Sequence, residues 1–177
     1  MTVDFETFTA DLDIQERLRQ ACDFDVGLGY GVPSWCSVDG GEHLEVVARD
    51  STGGEFIMMT PSRRVLFVSS EGYAGVIAAD RDELIALVAA CPYWRDLLSL
   101  SGAGSLAEMR RAAPVLELSW LDEDEEFAEI HEFLKSRLGL ADADDPIGRL
   151  HRAVSASDVV VRAPDGNPAV PLFKRRS

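Results

Sequence analysis

The sequence predicts an α+β fold: a central antiparallel sheet, formed by a meander of at least three strands, packed with several helices. Between residues 43 and 70 three apolar segments, "HLEVVARD", "GEFIMMT" and "RVLFVSS", follow one another with links of only a few residues. Links that short join antiparallel neighbours, because a parallel pair needs a long crossover. On both sides of this block the apolar residues recur at helical spacing instead of alternating. The chain has 177 residues, 46% hydrophobic and 27% charged, which suffices for one full core and carries no compositional sign of disorder. One domain over 1–177 is predicted, with a helical C-terminal extension from about residue 115.

The elements follow in order. Over 7–21 Phe8, Leu12, Ile14, Leu18 and Ala21 lie near helical spacing, with acids concentrated early where the helix dipole favours them. "GLGYGVPSW" then contains G-x-G-x-G. A dinucleotide fingerprint requires a helix opening on its last glycine, and Val32-Pro33 follow here, so the segment reads as a loop. Strands are predicted over 44–50, 54–60 and 65–70. Asp50 to Gly54 has the length and glycine content of a hairpin loop, and Pro61 marks the next turn. The near-continuous apolar run Val65 to Val68 suits a strand covered on both faces. It ends at "SSEG", a strand exit before a small-residue link.

A helix over 80–91 carries Asp80 as N-cap with Glu83 three residues on, the capping-box spacing. Leu84, Leu87, Val88 and Cys91 line its buried stripe, and Pro92 stops it. "YWRDLLSLSG" adds a short helical turn. Ser105 with Glu108 repeats the cap spacing ahead of "LAEMRRAA", and Pro114 ends or kinks that helix. "VLELSWL" fits helix and strand equally. Over 122–138 Phe127, Ile130, Leu134 and Leu138 share one helical face, Gly139 is placed as C-cap, and Leu140 supplies the accompanying apolar contact. Asp145-Pro146 supplies an N-cap and first-turn proline for "PIGRLHRAV". "DVVVRA" reads as a last strand and "PDGNP" as a turn.

Charge narrows the function. The net charge is −14. Residues 1–60 hold 12 acids against 3 basic groups, 117–145 hold 11 against 2, and only the segment from Pro146 onward is basic. Such a surface repels phosphates and disfavours nucleic-acid binding, while a basic protein partner suits it. No apolar stretch reaches the ~18 residues of a membrane span. The N-terminus is acidic where a secretory signal is basic, so a cytoplasmic location is expected. Cys22, Cys36 and Cys91 are odd in number and lack C-x-x-C spacing, as expected of reduced thiols.

Candidate chemistry is sparse. In the run Asp122, Glu123, Asp124, Glu125, Glu126, the carboxylates complement the positive end of a helix whose other end carries Lys135 and Arg137. The run also reads as a partner-facing patch. A metal-dependent hydrolase using these acids with His131 is a further reading, although the D-x-D-x-D-G spacing of a calcium loop is missing. His43, His131 and His151 are far apart and outside H-x-H or H-E-x-x-H spacing. No G-x-S-x-G elbow surrounds Ser69 and Ser70. Glu71 should stand at the exposed end of a buried strand. Tyr73, Tyr93, Trp94 and Trp120 are the aromatic candidates for core or interface; Trp94 favours core, and Trp120 sits beside the acid run.

The block "GGEFIMMTPSRRVLFVSSEGYAGVIAADRDELIALV" resembles the centre of the SUKH superfamily, which joins fungal cell-wall assembly regulators with many bacterial immunity proteins. The resemblance covers about residues 53–91: a Gly-led strand from Gly53 to Thr60, a second strand from Val65 to Ser70, the acidic corner Glu71-Gly72, the small-residue link, and a capped helix from Asp80. It implies a sheet-and-helix fold without chemistry of its own. Many bacterial members bind and neutralise a toxin, often a nuclease, and others are regulators or scaffolds. The expectation is a non-catalytic intracellular binding protein, without metal or cofactor, that meets a basic toxin. Its surface would be formed by Glu71, Tyr73, Trp120, Asp122, Glu123, Asp124 and Glu126. A regulatory or scaffold role is the alternative within the same family.

Overall fold

The computed structural model describes residues 5–28, 31–33, 35–140, 144–156 and 158–173. The single helix expected over 7–21 is two, α1 (Phe5–Thr9) and α2 (Leu12–Cys22). Asp11 separates them. It takes extended backbone, φ −79° and ψ 116°, and its side chain accepts from the N–H groups of Asp13 and Ile14, donors that a helix's first turn leaves open. The apolar spacing runs straight through this cap, which is why periodicity alone merges the two helices. Of the glycine loop, Gly29, Tyr30 and Ser34 lie outside the described residues. Gly31 is tied down by its carbonyl, which accepts from Val46 N at 2.9 Å.

The chain then forms β1 (Ser37–Val38), β2 (His43–Arg49), β3 (Glu55–Thr60), β4 (Val65–Val68) and β5 (Tyr73–Ala78). From β2 to β5 the strands pair in sequence order as an antiparallel meander. The fold is α+β with a central sheet packed by helices. Two details differ from expectation. The small-residue link after "SSEG" is itself β5, held by pairing with β4 from Val68↔Ala74 to Val65↔Ala78. Ser69 to Gly72 is therefore a hairpin turn: Ser69 N donates to Tyr73 O at 2.8 Å, and Gly72 takes φ 89°, a conformation that costs glycine nothing. The sheet is also mixed, because β7 (Val170–Pro171) lies parallel to β5. Of "DVVVRA" only β6 (Val161–Arg162) is strand, and it pairs with β1 in a second, two-stranded sheet.

Each face of the central sheet is covered. Phe56, Val65, Phe67 and Ile77 point into the helices, where Trp94 is fully buried with its ring 5.0 Å from Phe67. Ile57, Leu66, Val68 and Val76 point the other way, against Val161 and the half-buried Trp35 and Val38. This two-sided cover explains why every residue of β4 is buried.

Five further helices pack on the first face: α3 (Arg81–Ala90), α4 (Trp94–Ser99), α5 (Leu106–Leu121), α6 (Phe127–Leu138) and α7 (Pro146–Ser155). The predicted caps are present. Asp80 accepts from Glu83 N, and the Glu83 side chain reaches back to Ala79 N; Ser105 accepts from Glu108 N, and Gly139 closes α6 at φ 62°. Pro114 does not end α5, and residues 114–121 are helical. Met109, Ala113, Leu116 and Trp120 form its inward stripe, and their burial holds the helix through the proline. The helix expected over 122–138 begins only at Phe127. Nor are the helices beyond residue 115 an appendage, since Ile130, Leu134, Leu138, Leu150 and Val154 share one cluster with Phe56 and Trp94.

A candidate protein-binding surface at the α5–α6 corner

The later start of α6 changes the meaning of the acid run. Asp122 caps α5, Glu123 and Asp124 form the turn, and Glu126 is the N-cap of α6 without a side-chain cap bond. The five carboxylates thus leave a corner between two helices instead of filling a first helical turn. All five are exposed. Asp124 accepts from Glu126 N at 2.9 Å, and Glu126 accepts from Gln20 Nε2 at 2.8 Å. Among the described residues no Lys, Arg or His forms a salt bridge with any of the five.

Beside the corner lies a cleft of about 260 Å³ between the end of α2, the start of α4 and the outer half of α5. Asp23, Asp96 and Glu123 contribute carboxylates to it, and no Lys or Arg lines it. Asp23 is held in place by left-handed backbone, φ 49°, and by Ser51 N, which donates to its Oδ1 at 2.8 Å. Trp120 forms part of the wall but is only 8% exposed. Its indole stacks on Phe127 at 4.9 Å, and Nε1 donates to Ala21 O at 3.1 Å. Trp120 is therefore a core residue whose edge shapes the wall of the cleft. The exposed apolar groups here are Val115, 69% exposed, and Leu118, 65% exposed, on the side of α5 away from the inward stripe.

Glu71 and Tyr73 are not part of this corner. Glu71 is exposed on the β4–β5 turn, and Tyr73 is half-buried in β5 opposite Val170. Their turn neighbours the β2–β3 turn, where a Cβ on Gly53 would stand 3.8 Å from Ser70 Cβ, and Ser51 of that second turn bonds Asp23. Glu71 therefore does not line the acidic cleft, and the β2–β3 turn stands between its own turn and Asp23. Asp23, Asp96, Val115 and Leu118 were not legible as site residues. Val115 and Leu118 would have stood out had α5 been carried through Pro114, since the stripe of Met109, Ala113, Leu116 and Trp120 leaves them on the opposite side.

His131, Cys22 and Cys91 turn inward. His131 is 5% exposed and packs edge-on against Trp120 at 5.3 Å. Its Nε2 donates to Ala90 O at 3.3 Å, and burial holds its pKa below the usual histidine value. It does not share an exposed face with the acid run, as the hydrolase reading required. Among the described residues no group of three or more His, Cys, Asp or Glu is placed to hold a metal ion. Burial pushes the thiols of Cys22 and Cys91 up to about 12 and that of Cys36 to about 11. All three are free cysteines, each protonated at neutral pH. The Ser69 hydroxyl accepts from Tyr73 N at 3.1 Å, a turn contact. No helix among the described residues is long and apolar enough to cross a membrane. No family model matches the chain, and neither a curated protein nor a solved structure does.

Proposed function

We propose that this chain is a non-catalytic intracellular binding protein of the SUKH immunity type, which neutralises a basic toxin domain through the acidic α5–α6 corner. The carrying observation is the pairing of the corner with its cleft: five exposed carboxylates without a salt bridge among the described residues, one of them, Glu123, sharing with Asp23 and Asp96 a cleft that no Lys or Arg lines. The two carboxylates buried in the fold among the described residues are matched by cations, Asp50 by Arg95 and Glu55 by Arg49. Uncompensated charge at one corner repels itself and slightly destabilises the folded state, and a cationic partner relieves that repulsion. A lysine or arginine side chain suits the cleft, and Val115 and Leu118 offer apolar contact on the same helix. Nuclease domains are commonly basic because they hold phosphates, and opposite fields speed their encounter with an acidic inhibitor.

The test is a toxin domain encoded by the neighbouring reading frame, with association measured across a salt series. Asp122→Lys, Glu123→Lys and Glu125→Lys together reverse the corner's field while sparing the Asp124 and Glu126 side-chain hydrogen bonds. The triple variant should unfold at a midpoint no lower than wild type, associate at least about tenfold more slowly at low salt and lose most of its salt dependence. Unchanged association would remove the corner from the interface.

A further inference from the structure

A second, larger cleft of about 610 Å³ opens between α3, α5, α6 and α7. Its volume lies in the range of small-molecule sites, and Leu87, Leu138, Ile147 and Leu150 give it apolar walls. Charge at its lining is unequal: Asp80, Asp82, Glu83, Glu117 and Asp144 against Arg110, Lys135 and Arg149.

Each cation is already matched. Arg110 pairs with Asp145 at 3.0 Å, Arg149 stands between Glu83 and Asp144 at 3.9 and 4.0 Å, and Lys135 faces Glu132 at 3.9 Å. Asp80 caps α3, and Asp82 accepts from Phe5 N at 3.1 Å. That leaves Glu117, half-buried on α5, with no hydrogen bond or ion pair among the described residues. Glu117 lines the cleft together with Cys91, Tyr93 and His131. A half-buried carboxylate without a partner gains a charge-assisted hydrogen bond when a cation enters the cleft.

We propose that this cleft is a binding site for a small organic amine, one ammonium group on an apolar body, with Glu117 receiving the ammonium and the walls of α3, α6 and α7 receiving the body. A single unmatched carboxylate selects a monocation, and the apolar walls select against a polyamine. The proposal uses residues separate from the α5–α6 corner and stands or falls apart from it.

The experiment titrates the full chain with n-octylammonium, n-octanoate and n-octanol by calorimetry, with chemical-shift mapping of the contact. Octylammonium should bind one-to-one and at least about tenfold more tightly than either of the other two, since hydrogen bonds to charged groups are the stronger class. Glu117→Gln should erase that preference while leaving octanol binding unchanged. Ala86→Phe, which fills the cleft from α3, should weaken all three ligands. Tighter binding of octanoate, equal binding of all three, or retention of the ammonium preference in Glu117→Gln would each overturn the assignment.

Discussion

Truncation of Trp120 separates a core role from an interface role, because the two predict opposite results. The indole is 8% exposed, stacks on Phe127 and donates to Ala21 O, a carbonyl in the last turn of α2. Trp120→Phe keeps a ring against Phe127 but strands that carbonyl, and an unsatisfied buried acceptor costs about 2 kcal/mol. Trp120→Ala removes the ring as well, so the loss should reach about 4 kcal/mol. At roughly 2–4 °C per kcal/mol for a chain of this size, the alanine variant should melt about 10 °C lower. Urea unfolding followed by far-UV circular dichroism reads both costs against wild type. The phenylalanine variant should fall between the other two, and a toxin domain should still associate with it at close to the wild-type rate. A loss below about 1 kcal/mol for Trp120→Ala would refute the core assignment, and loss of association without loss of stability would restore Trp120 as an anchor.

Further outcomes follow from the titratable groups. His131 has a depressed pKa in the folded state because burial disfavours its charged form. Its contribution to stability is therefore complete above the unfolded histidine value near 6.5 and is lost as pH falls through the lower folded value. Unfolding midpoints should drop between about pH 7 and 5, and His131→Gln should flatten that drop; an equal slope in the variant would assign it elsewhere. Cys22 and Cys91, with thiols pushed up to about 12, and Cys36 at about 11, should resist a thiol-exchange reagent at pH 8 in the folded protein and react at once in denaturant. A native thiol reacting as fast as free cysteine would contradict the burial assigned to it.

Wherever one local rule and one packing constraint agree, the element is legible in the residues themselves. The meander from β2 to β4 announces itself through short turns and apolar segments, the caps at Asp80 and Ser105 through side chains that bond the N–H three residues on, and the cap at Gly139 through a backbone conformation open to glycine. Those interactions are local, so the sequence holds both partners side by side. Where two local rules compete, tertiary contact chooses between them. Pro114 argues against continuing α5, yet the core accepts Met109, Ala113, Leu116 and Trp120 along one stripe and keeps the helix intact. Residues 73–78 lack a strong strand composition and become β5 because β4 and β7 offer partners on both sides.

The acid run shows the division most clearly. Its composition and its net repulsion were determined by the sequence alone, since five adjacent carboxylates are negative in any fold. Whether they fill a helical turn or leave a corner between two helices depended on where α6 begins, at Phe127, whose ring stacks on Trp120 across the turn. The clefts were beyond local reading altogether. Glu117 shares a cleft with Cys91 and His131, and Asp23 with Glu123, only because helices far apart in sequence pack together, and no pattern within one helix encodes its neighbour's charge.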